Sequence, residues 1–157
     1  MKYLAISKTP YYIAYALFDS KQLELYGKEL IRSTDDTLRL LEIERILADM
    51  IYKHKPNFVL THLLDKERVM KKDLEKIVEI RTILKMTCEK MNVFYSEFKT
   101  SGWELKITGG KPSARQKLDL INDGYKLFEN EEIQDIEIAN AVILAEGVAH
   151  KRLHIGE

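Results

Sequence analysis

Apolar positions along the chain follow two different periods. Short apolar or alternating runs at Tyr3–Ser7, Tyr11–Phe18, Leu23–Ile31, Phe58–His62 and Val93–Phe98 predict strands. Tyr3-Leu4-Ala5-Ile6-Ser7 is too brief for a helix and apolar enough to be buried, which makes it the expected central strand. Only a few residues separate it from Tyr11, so these two runs should form an antiparallel hairpin. Leu23–Ile31 alternates weakly and suits an edge. Elsewhere the spacing is helical. Leu40, Ile43, Leu47 and Met50 follow the cap-forming run Ser33-Thr34-Asp35-Asp36, predicting a helix to near His54 that Pro56 stops. Met70, Leu74, Ile77, Leu84, Cys88 and Met91 mark a long helix over 66–91, with one side for the sheet and another available to a second subunit. After the turn Thr108-Gly109-Gly110-Lys111-Pro112, Ser113 caps a helix running to about Phe128. Ala139, Val142, Ile143 and Val148 give a final helix its buried face. The order β-β-β-α-β-α-β-α-α predicts an α/β layered fold: a mixed five-stranded sheet, three antiparallel strands then two parallel, flanked by helices.

Length and composition narrow this picture. With 157 residues and no linker-like stretch, the expectation is a single domain over 1–157. A hydrophobic content of 45% argues against disorder, while the longest apolar run is far too short to span a membrane. The start, Met1-Lys2-Tyr3, lacks signal-peptide character, and the lone Cys88 suits a reducing compartment, so a cytoplasmic location is expected. Net charge is zero, against a basic field over the whole surface. The charges are nonetheless segregated. Lys99, Lys106, Lys111, Arg115 and Lys117 face Glu104 alone in their stretch, whereas 119–137 is strongly acidic.

These elements resemble the RNase H-like fold, and in particular the RuvC-type Holliday-junction resolvases, over nearly the whole chain. Leu4-Ala5-Ile6-Ser7-Lys8-Thr9 stands where that family has a Gly-Ile-Asp-Pro-Gly type of motif. Pro56-Asn57-Phe58-Val59-Leu60-Thr61-His62 is similar to its strand of Pro-Asp, apolar run and Glu. Phe94–Phe98, the Gly-rich turn and Ser113-Ala114-Arg115-Gln116-Lys117 resemble its last strand, turn and basic helix start. Glu137-Ile138-Ala139-Asn140-Ala141-Val142 lies where the family has Asp-x-x-Asp-Ala.

The resemblance implies a reaction in which acidic side chains hold magnesium-type ions that activate water and steady the leaving oxygen. Carried over by position, the acids become Ser7, His62, Glu137 and Asn140, so one carboxylate remains of four. A hydroxyl, an imidazole and an amide do not replace three negative charges for magnesium. Asp65, Glu67 and Asp135 lie near but out of register. No catalytic residue, resident metal or other cofactor is therefore assigned. Ser7 also lacks a Gly-x-Ser-x-Gly elbow that would make it a nucleophile. The resemblance further implies a homodimer. Lys8, Lys99, Lys106, Lys111, Arg115 and Lys117 are the expected nucleic-acid contacts, with Trp103 or Tyr95 to stack on an unpaired base. The leading expectation is a RuvC-like protein that binds branched or structured nucleic acid without nuclease activity. Two alternatives stand beside it: an active, divergent magnesium- or manganese-dependent junction endonuclease, and a protein-interaction scaffold that binds no nucleic acid.

Overall fold

The computed structural model describes residues 1–63, 70–99, 113–124 and 132–155. Its elements are β1 (Lys2–Lys8), β2 (Tyr12–Asp19), β3 (Gln22–Leu30), α1 (Asp36–His54), β4 (Phe58–His62), α2 (Lys71–Lys90), β5 (Phe94–Phe98), α3 (Ala114–Gly124) and α4 (Ile136–Ala149). The strands form one sheet in the order β3-β2-β1-β4-β5, antiparallel in the first three and parallel from β1 through β4 to β5. The expected mixed sheet, its central first strand and its edge third strand are all present.

Tight turns hold the meander. In the first, the Thr9 hydroxyl oxygen accepts the Tyr11 and Tyr12 amides at 3.3 and 3.0 Å. In the second, Ser20 takes a positive φ of 55°, as a two-residue hairpin turn demands. Gly27 lies opposite Tyr15, and a Cβ there would come within 2.7 Å of the Tyr15 hydroxyl, so the glycine makes room for that ring. The Asp35 side chain caps α1 by accepting the Leu38 amide at 3.0 Å, and Lys55 ends that helix in the left-handed region.

Strand alternation divides the core in two. Leu4, Ile6, Ile13, Leu17 and Val59 face α1 and α2. Ala5, Ala14, Ala16 and Leu60 face α4, which is buried along nearly its whole length. The sequence pattern suggests a single buried stripe on that last helix, but it is apolar all round because it lies against the sheet with α3 packed beside it. The long helix has one side on the sheet, as expected, and shares it with α1. α2 leans mainly on α1 and β5, burying Ile77, Ile80, Leu84, Thr87 and Cys88, while Met70, Val78 and Met86 are exposed. Burial pushes the Cys88 thiol up to about 12, in keeping with a small core hydrophobe.

Candidate functional site

Parallel β1 and β4 end side by side, and α4 begins across their carboxyl ends. Asp135 makes that start rigid. Its Oδ1 accepts the Glu137 and Ile138 amides at 2.8 and 3.3 Å, and it also accepts the Tyr12 hydroxyl at 3.3 Å and the Lys28 ammonium at 3.1 Å. Burial pushes the Asp135 carboxyl up, but the Lys28 hydrogen bond and the two helix amides outweigh it and hold the group below the usual carboxylate range. Asp135 is thus fully engaged as a helix cap. One turn of α4 places Glu137 and Asn140 on the same face toward the strand ends.

Four of the singled-out side chains meet there. The buried Ser7 hydroxyl donates to a Glu137 carboxylate oxygen. Lys117, only 9% exposed, reaches in from α3 and donates to Asn140 Oδ1 at 3.2 Å. His62 reaches the surface in part while its Nε2 is buried. Burial, together with the charges of Lys8 and Lys117, drives its pKa down to about 3, so the imidazole is neutral throughout the physiological range.

Lys8 belongs to the other side of the sheet. By alternation it follows Leu4 and Ile6 rather than Ser7. Its ammonium donates to Thr61 Oγ1 at 2.8 Å and to the His62 carbonyl at 3.0 Å, and Thr61 in turn donates to the Ile6 carbonyl at 2.7 Å. Beside it, Arg81 makes a two-pronged bond to Glu97 at 2.7 and 2.9 Å. Burial pushes the Glu97 carboxyl up, but Arg81, Lys8 and Lys85 outweigh it and hold it low. For Lys8 burial is the larger influence, and its pKa falls to about 8 despite Glu97.

A lysine with a lowered folded pKa penalises folding while it is charged in both states, and the penalty fades as pH rises through the folded value. The protein is therefore expected to gain about 2 kcal/mol between pH 7 and 9.5 relative to Lys8→Met. Denaturant unfolding of both proteins across that window checks this; parallel profiles would mean that the ammonium is well solvated.

Other singled-out residues lie elsewhere. Lys99 is exposed just past the end of β5, and Arg115 is exposed in the first turn of α3, paired with Asp119 at 3.3 Å. Asp65, Glu67, Trp103, Lys106 and Lys111 lie outside the described residues. Tyr95 is packed against the core between the sheet and the α1–α2 pair with its hydroxyl buried, which removes it as a stacking surface. Thr61, Arg81 and Glu97 were not among the residues singled out by the sequence; for Thr61 and Glu97 the two-residue period of β4 and β5 was the available signal, while Arg81 reaches them from α2.

The donors that the described residues bring together here do not by themselves suit a magnesium pair. Among the described residues Glu137 is the one carboxylate at the meeting point of Ser7, Glu137, Asn140 and Lys117, and it already accepts from Ser7. Asn140 presents its oxygen to an ammonium. Among the described residues no three histidine, cysteine, aspartate or glutamate side chains gather closely enough to hold an ion. Hard divalent cations take several oxygen ligands, preferably anionic, and an ammonium in the cluster repels them.

No family model and no curated protein matches this chain. Solved structures do. Thermus thermophilus RuvC in complex with a Holliday junction superposes with a TM-score of 0.78 at 11% identity, covering 97% of this chain and 96% of that one. The yeast mitochondrial Holliday-junction resolvase gives 0.65 at 13% identity, covering 96% of this chain and 78% of that one. The fowlpox virus resolvase with its junction DNA gives 0.63 at 18% identity, covering 98% of this chain and all of that one. A mixed sheet in this order with helices on both faces accords with that likeness: the chain has the RuvC-like form of the RNase H-like fold.

Proposed function

We propose that this chain binds branched DNA as a single-domain homodimer and does not cleave it by magnesium chemistry. The observation that carries the reading is Lys117. Its ammonium lies among the side chains at the strand ends, bonded to Asn140, where Glu137 is the carboxylate the described residues supply. Such a cluster is close to neutral, which suits approach to a phosphate backbone better than retention of two divalent ions. Lys99 and Arg115, exposed near the same end, supply backbone contacts, and the solved junction complexes of like-folded proteins support a four-way junction as the ligand. The exposed Val78 and Met86 on α2 offer an apolar strip for the second copy.

The test is a labelled four-way junction incubated with the protein in magnesium, in manganese and in a chelator. A shifted band should persist in the chelator, weaken steeply as salt rises because counterions return to the phosphates, and leave every strand intact. Metal-dependent cuts that disappear in Glu137→Gln would overturn the reading in favour of the active endonuclease. Absence of a shift even at low salt would leave only a protein-binding role.

A further inference from the structure

We infer that Tyr11 is a stacking platform for an unpaired base at the branch point, with Lys76 and Lys72 serving the adjoining phosphates; this rests on the DNA-binding reading above. Three described aromatic side chains are more than half exposed: Tyr11 at 57%, Tyr52 at 75% and Phe94 at 72%. Tyr52 is near the end of α1 and Phe94 begins β5, so both lie at the end of the sheet remote from Ser7. Tyr11 alone of the three stands at the cluster's end, in the turn that follows β1.

Its backbone is pinned from both sides. The Thr9 hydroxyl oxygen accepts the Tyr11 amide at 3.3 Å, and the Tyr11 carbonyl accepts the Ile31 amide at 2.8 Å. Pro10 removes a further degree of freedom before it. A platform held this way loses little entropy when a base settles on it.

The neighbouring charge selects the occupant. The Lys76 ammonium lies 5.0 Å from the centre of the Tyr11 ring, and with the residue 57% exposed there is ring surface for a planar partner. Lys72 lies one helical turn nearer the start of α2 on the same side, a like-charge spacing that costs a few tenths of a kcal/mol in isolation. A polyanion removes that cost, whereas an apolar protein partner does not. A paired duplex hides its base faces, while a branch point exposes them. The ligand that fits is therefore an unstacked base flanked by phosphates.

Fluorescence anisotropy on a four-way junction and on a linear duplex of the same sequence, at one salt concentration, tests this with wild type, Tyr11→Ala and Tyr11→Phe. Tyr11→Ala should lose about tenfold in junction affinity with less than a twofold change on duplex, and Tyr11→Phe should retain junction affinity. Equal losses on both ligands, or no loss on the junction, would overturn the stacking role. If wild type binds neither ligand, the DNA-binding reading itself fails, and the wild-type titration shows this before any variant is compared.

Discussion

Replacing three residues together, Ser7→Asp, His62→Glu and Asn140→Asp, is expected to make the strand-end cluster bind magnesium more tightly than it does in the wild-type chain. The substitutions add three carboxylates near Glu137: Ser7 already bonds to it, Asn140 lies one turn along the same helix, and His62 is close enough to feel the Lys117 charge. Without metal the variant should be less stable than wild type, because like charges replace the Ser7–Glu137 hydrogen bond. Magnesium should reverse that loss. At about a hundred times its dissociation constant a ligand stabilises the folded state by about 2.7 kcal/mol, which corresponds to a Tm rise of roughly 5–10 °C for a chain of this size. Thermal unfolding against magnesium concentration reads the effect directly. A Tm that ignores magnesium would mean that the four positions do not share a coordination centre.

Acid should destabilise the protein through His62. The group's folded pKa, about 3, lies below its unfolded value, so the unfolded chain takes up a proton first as pH falls. Stability is fully present above about pH 6.5 and is lost progressively down to about pH 3, where the folded form protonates as well. Between pH 7 and 4.5 this one histidine accounts for about 2–3 kcal/mol. Asp135 and Glu97, held low in the folded state, add losses of the same sign toward the lower end of the range. His62→Gln should therefore lose distinctly less stability than wild type between those two pH values in urea unfolding. Identical losses would show that the imidazole takes up its proton in the folded state as readily as in the unfolded one.

Much of the architecture was legible because local pattern and global fold agree. Phe58–His62 is a strand with the bounds its apolar run predicts, and Asp35 with Pro56 brackets α1 as cap and stop. The convergence of Ser7, Glu137 and Asn140 was readable only by position against a known fold, since no local motif links residues that far apart. What escaped was direction. Lys8 adjoins Ser7 in sequence, yet the two-residue period of a strand sends its ammonium through to Thr61 and the Glu97–Arg81 pair. Lys117 read as part of a surface patch with Arg115, but on α3 one points inward to Asn140 and the other outward to solvent. A helix whose neighbour is unknown does not reveal which of two nearby cations it buries. The outer strip of α2 was obscured similarly, because its apolar residues exceed what α1 and β5 cover.

The placement of α4 has a consequence for how the chain reaches its native state. The contact between Ser7 and Glu137 closes a span of 130 residues, and the same helix roofs Ala5, Ala14, Ala16 and Leu60. Until residues 136–149 have been synthesised and docked, that side of the sheet lacks the helix that packs along it. A nascent chain halted before this point carries a broad sticky surface, which makes it a natural client for chaperones and leaves the strand-end chemistry unassembled until the closing step.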